Sequence, residues 1–324
     1  MSGSSFAYAS GRVSSLEDTL LSRRVWQQLL SAEDRAEVLR ILGETWYGAL
    51  LQGNTDVEKA LKTAVFTAED ELIEFSGEAS FTKGILLRRD VRNGRYIWKN
   101  IATGGDGNVE TEPQGTIPVV KLKRAWEDPA EADGLPEAFK RCIEELDSLS
   151  SPSAAELDTV LDRLAAAVEV ENLGTLSGPL GSLPAVKIEL GNFLTAARCR
   201  NMEITQTTLE EMLLRGGYHS PQEIAEAYRT KKLAAVLGER NGFEEVSSAL
   251  EEGIETGSFL RYQKESDVVM LELLERAAAS IFSPGPLVAY VLRRELEASH
   301  LKLLTAGKTA GIDPGRLMAR IPRG

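Results

Sequence analysis

The sequence has few of the residues that do chemistry. Its 324 residues include 2 cysteines and 2 histidines, and 6% are aromatic. Cys142 and Cys199 stand far apart without a Cys-x-x-Cys spacing, which excludes a zinc knuckle or a dithiol redox motif and reads as reduced thiols in a cytosolic protein. His219 and His300, without a nucleophile elbow, leave almost no material for a hydrolytic triad. Positive charge is also short. There are 37 basic against 49 acidic side chains, a net charge of -12, and a nucleic-acid partner would need a basic surface to meet its phosphates. Long apolar runs are missing. The longest, Ala277 to Leu292, is broken by Pro284 and Pro286, whereas a bilayer span needs about 20 uninterrupted apolar residues. No transmembrane span is expected, and Met1 to Arg12 has no signal-peptide pattern. Gly104-Gly105-Asp106-Gly107 lacks the lysine of a phosphate loop, so no nucleotide or other cofactor is expected.

What is present is apolar bulk at helical spacing. Hydrophobic residues make up 43% of the chain, enough for two or three domains of about 100–200 residues. Capping-box patterns recur at Ser31/Asp34, Thr55/Glu58, Thr67/Asp70, Ser153/Glu156, Thr207/Glu210 and Ser248/Glu251, each placing a hydroxyl three residues before an acid. Ser220-Pro221-Gln222-Glu223 and Asp313-Pro314 add proline at the first helical position. Leu87, Val91, Gly94, Trp98 and Ile101 share one helical stripe. Ile117 to Leu122 is the only short β-branched run and, with Pro118 in it, is expected to be an extended connector. The Ser283-Pro284-Gly285-Pro286 break starts a long helix. The fold class is all-α.

Self-similarity organises the chain further. Asp90 precedes Asn93, Glu189 precedes Asn192 and Glu297 precedes His300, each by three positions, so acid and amide or imidazole share a helical face. The acids lie 99 and then 108 residues apart. This predicts three similar helical domains, 1–118, 119–217 and 218–324, with the six residues as a structural repeat signature. Charge is segregated as well. Ala125 to Asn172 carries 13 acids against Lys140, Arg141 and Arg163, while the stretch from Val291 carries 7 bases against 3 acids. Both are solvated faces or docking surfaces of opposite sign.

Three segments carry a family resemblance. Phe6-Ala7-Tyr8-Ala9-Ser10-Gly11-Arg12-Val13 followed by Leu16, Leu42-Gly43-Glu44-Thr45-Trp46-Tyr47-Gly48, and Pro286 to Val291 running on to Glu297-Ala298-Ser299-His300-Leu301 and Gly307-Lys308 resemble the C subunit of prokaryotic V/A-type rotary ATPases, a relative of the vacuolar ATPase d subunit. The Leu214-Arg215-Gly216-Gly217 turn fits too. The resemblance implies a funnel of three helical domains with pseudo-threefold arrangement. It implies a non-catalytic central-stalk rotor subunit, peripheral on the cytoplasmic face, that joins the D- and F-type shaft subunits to the membrane proteolipid ring. Torque would pass through it between ATP hydrolysis or synthesis and proton or sodium transport. Two positions depart from the family pattern. Gly94 stands in place of a leucine, at roughly 1 kcal/mol of helix propensity and with looser packing of the first repeat, and His300 replaces an asparagine.

Other readings are weaker. Glu297-x-x-His300 has the spacing of a di-iron bundle, but His219 has no acid three residues before it to supply the second copy, so no metal is expected. The acids Glu127, Asp128, Glu131 and Asp133 surround Pro129 in a loop and not on a magnesium-binding helix. Arg88, Arg92, Arg95 and Lys99 line one helix face, a solvated face or a contact patch for an acidic partner or anionic headgroups. A soluble helical-repeat adaptor outside any ATPase is the alternative function.

Overall fold

The structure, a computed structural model, describes residues 3–51, 56–76, 80–149, 152–202 and 204–322, and for residues 3–9, 80 and 201 the backbone alone. Every regular element among them is helical. The chain divides into two compact units, Met1–Gly77 with Thr230–Gly324, and Glu78–Arg229. Unit 1 begins with α1 (Gly3–Glu17), α2 (Arg23–Ser31), α3 (Arg35–Gly43), α4 (Gly48–Leu51) and α5 (Val57–Ser76). Unit 2 holds α6 (Ser80–Ala102), α7 (Val119–Glu127), α8 (Glu137–Ser148), α9 (Ala154–Asn172), α10 (Pro179–Arg198), α11 (Gln206–Met212) and α12 (Pro221–Arg229), with short 3-10 turns at Pro129–Ala132 and Cys199–Asn201. Unit 1 resumes with α13 (Leu233–Gly238), α14 (Glu244–Thr256), α15 (Leu260–Ala278), α16 (Gly285–Thr309) and α17 (Pro314–Arg320). These compact bodies do not coincide with the three hundred-residue stretches of the sequence repeat. The reason is local: α6 packs on α7 and α9, which follow it, while α16 packs on α5 and α1.

Helix starts follow side-chain chemistry, at registers that the pattern alone only partly fixes. Ser153 and Glu156 form a reciprocal capping box, as do Ser220 and Glu223, and Asp313 caps Arg316. At Ser31/Asp34 the cap of α3 is Asp34 itself, which accepts from Glu37. Thr205, not Thr207, caps α11. Thr67 and Ser248 lie inside α5 and α14; the Thr67 hydroxyl donates to the Thr63 carbonyl. Thr55 falls outside the described residues. The expected connector 117–122 is extended only up to Pro118, because Val119 already opens α7. Gly104 and Gly311, at φ +89° and +64°, follow the ends of α6 and α16 in the left-handed conformation that glycine tolerates.

Each unit has its own core. In unit 2, Leu87, Val91, Trp98, Phe139, Leu161 and Leu164 pack together. Gly94 belongs to this packing instead of weakening it: a Cβ there would stand 3.2 Å from the Trp98 ring. The missing side chain is the space that the indole fills, and Trp98 Nε1 donates to the Leu122 carbonyl at 2.9 Å. In unit 1, Leu29, Leu30, Leu42, Ala64, Leu301 and Leu304 form the corresponding cluster. Cys142 and Cys199 are free and buried, and burial pushes the Cys142 thiol up to about 12, far from a reactive thiolate.

Candidate functional site

The repeat signature forms three buried clamps. On α6, helical spacing points Asp90 and Asn93 the same way, and both are fully buried. Asp90 accepts from the backbone N–H of Gly115 (3.2 Å), Thr116 (2.7 Å) and Ile117 (3.1 Å), and from the Thr116 hydroxyl (2.9 Å). Asn93 pairs with the backbone of Glu112 as a neighbouring strand would, accepting from its N–H at 2.8 Å and donating to its carbonyl at 3.3 Å. Position 115 must be glycine, since a Cβ there would fall 2.2 Å from the Leu86 carbonyl oxygen and 2.5 Å from Asp90 Oδ1. Burial outweighs these hydrogen bonds and pushes the Asp90 carboxyl up.

The second clamp repeats the first on α10. Glu189 accepts from the N–H of Tyr218 (3.0 Å) and His219 (3.1 Å), and His219 Nδ1 meets its other oxygen. Asn192 accepts from Leu214 N–H at 2.9 Å and donates to its carbonyl at 2.8 Å. Gly216, at φ +105°, turns the chain, and a Cβ on Gly217 would reach within 2.7 Å of Glu189.

The third clamp, on α16 in unit 1, departs from the pair. Glu297 accepts from Leu21 N–H at 2.7 Å, from the Tyr47 hydroxyl at 2.8 Å and from Arg294 at 2.6 Å. Arg294 is fully buried. Its guanidinium also donates to Thr19 and Tyr47 and lies over the rings of Trp46, Tyr47 and Tyr290, 4.5 Å from the Trp46 centroid. Burial raises Glu297 more than its partners lower it, and burial, with Glu297 beside it, raises Tyr47. His300 does not hold a loop backbone. Its Nε2 pairs with Asp267 of α15 at 2.8 Å, where Arg320 of α17 also binds.

Sequence reasoning found the acids and amides but missed what they hold. The signal lay in the turns Gln114-Gly115 and Gly216-Gly217 and in Tyr47 of the 42–48 segment. The cationic face of α6 is engaged inside unit 2. Arg88 lies 3.5 Å from Glu169, Arg92 pairs with Glu112, Arg95 reaches Asp158 and Asp162, and Lys99 pairs with Asp158. The acidic stretch before Asn172 thus supplies partners for the α6 cations, and Arg141–Glu171 and Arg163–Glu145 pair within it. Burial acts to raise Glu169, but Lys187 and Arg88 outweigh it and hold the carboxyl below its ordinary value. The clamp carboxylates are taken up by backbone, hydroxyl, imidazole and guanidinium donors, an arrangement that fixes loops in place. Among the described residues no grouping of three or more metal-ligand side chains occurs, and no helix is long and apolar enough to cross a membrane.

The family described as ATP synthase (C/AC39) subunit matches residues 9–320, and the chain belongs to that family. Similar proteins include the C subunits of the V-type ATP synthase from two Thermus thermophilus strains, 26% and 27% identical over 92% of this chain and 93% of theirs. The C subunit of the A-type ATP synthase from Methanocaldococcus jannaschii is 24% identical over 95% of this chain and 84% of its own length.

Proposed function

We propose that this protein is a non-catalytic rotor subunit of a V/A-type ATPase or synthase. In this reading it sits peripherally on the cytoplasmic face, joins D- and F-type shaft subunits to the membrane proteolipid ring, and transmits torque that couples ATP turnover to proton or sodium transport. The observation that carries it is the family match over 9–320, together with C-subunit relatives that align with nearly the whole chain. The physical character of the chain supports it. Torque transmission asks for stiffness, and close helix packing with loops pinned by buried carboxylates provides that without a reactive group. A funnel of three related helical domains is part of this proposal, with boundaries near residues 118 and 218. The α6 cations are committed to carboxylates of their own unit, so we assign no partner to that face.

The test is affinity capture of the tagged chain from its native membranes in mild detergent, with mass spectrometry of what is retained. Co-purification of catalytic head, shaft and proteolipid subunits is the expected result. Recovery with soluble partners alone would replace this reading with the helical adaptor.

A further inference from the structure

The three clamps share a register that the acid and amide positions alone do not reveal. In each, the carboxylate takes the backbone N–H of the residue just before a helix cap. Ile117 precedes Pro118, at the N-cap position of α7; His219 precedes Ser220, which caps α12; Leu21 precedes Ser22, which caps α2. In the first two, the amide side chain holds the backbone five residues upstream of the captured N–H, at Glu112 and Leu214. Five residues upstream of Leu21 is Leu16. There the carbonyl already accepts from the N–H and hydroxyl of Thr19, so an asparagine at position 300 would find its acceptor occupied. That accounts for His300, which turns to Asp267 instead.

We infer that residues 16–22 are the third copy of the clamped loop, and that the segment carrying it, α1 and the turn after it, is a strap that closes the last repeat by binding along α16. The repeat therefore runs through the chain in permuted order. Its junctions fall at Ser22, Pro118 and Ser220, and the loop belonging to α16 comes from far earlier in the sequence. The segment after α16 is used elsewhere, since α17 packs on α15 and α2. The strap is held in matching order along both partners. Ser10 donates to the Ile281 carbonyl at 3.0 Å, Glu17 pairs with Arg293 at 2.9 Å, Thr19 receives Arg294, and Leu21 reaches Glu297. Contacts at 10, 17, 19 and 21 meet 281, 293, 294 and 297, so the strap runs parallel to α16.

Hydrogen exchange by mass spectrometry on the full chain tests this without reference to any ATPase. Leu21, Ile117 and His219 lie outside helices, yet peptides containing them should exchange roughly a hundredfold slower than unstructured chain. Glu297→Gln should speed exchange about tenfold in peptides spanning 10–22 while leaving those spanning 112–118 and 214–220 unchanged. Asp90→Asn should do the reverse, releasing only 112–118. Unprotected exchange at Leu21 in the unsubstituted protein would overturn the strap. So would a Glu297→Gln variant in which all three loops accelerate together, because the clamp would then be part of one global transition. If Glu297→Gln fails to fold, Thr19→Val, which removes a hydroxyl that Arg294 contacts, must give the same local pattern or the inference fails.

Discussion

The two units solve one problem with different materials. In unit 2, Asp90 and Glu189 each capture a loop 25 to 30 residues away, and the acid is served mostly by backbone N–H groups. In unit 1, Glu297 captures a segment 276 residues away in sequence and needs a buried arginine in an aromatic box to hold it. Loop-closure entropy indicates why. Lengthening the closed segment tenfold costs about 2 kcal/mol more, and the guanidinium adds further charge-assisted hydrogen bonds that help to offset it. The distant closure carries the denser ionic network.

That contrast can be broken. The largest effect is expected from Arg294→Met, which strands Glu297 without its counter-charge in a buried site and should cost about 4 kcal/mol in urea unfolding followed by circular dichroism. Asp90→Ala, which leaves three N–H groups and a hydroxyl without an acceptor, should cost about 3 kcal/mol by the same measurement. If Arg294→Met costs clearly less than Asp90→Ala, the distinction between distant and local clamps fails.

A third change sharpens the contrast through pH. Burial acts to raise the Glu169 carboxyl, but Lys187 and Arg88 more than offset it, so the group titrates below its ordinary value in the folded protein. The unfolded chain therefore takes up that proton at higher pH than the folded one. The stabilisation is present above the unfolded value and is lost as pH falls through the lowered folded value. Glu169→Gln should cost about 2 kcal/mol at pH 7 and flatten the pH dependence of the urea midpoint in the acid range. An unchanged acid slope would remove Glu169 from the ties within unit 2. The smallest effect belongs to Arg95 and Asp162, whose side chains are 29% and 55% exposed. A double-mutant cycle on this pair should return about 0.5 kcal/mol, falling with salt.

The all-helical class was legible because apolar spacing and caps are local properties, and the repeat was legible because an acid and an amide three residues apart are side chains. Their partners were not. The segments 112–117, 214–219 and 16–21 have little sequence in common, since what each clamp grips is the backbone, which every residue shares. The partners of the α6 cations were hidden for a different reason. Asp158 and Asp162 lie more than fifty residues on, and a charged face reads the same in sequence whether water or another helix covers it. Gly94 looked unfavourable by helix propensity alone, and only the position of Trp98 shows that the glycine makes room.

The tryptophans give this architecture an optical handle. The sequence has 4; Trp26 and Trp46 belong to unit 1, Trp98 and Trp126 to unit 2. Trp46 lies beneath the Arg294 guanidinium, so its emission should shift when the third clamp opens, while Trp98, sealed over Gly94, should stay blue-shifted until the core of unit 2 melts. Replacing either pair with phenylalanine turns intrinsic fluorescence into a separate thermometer for each half of the molecule.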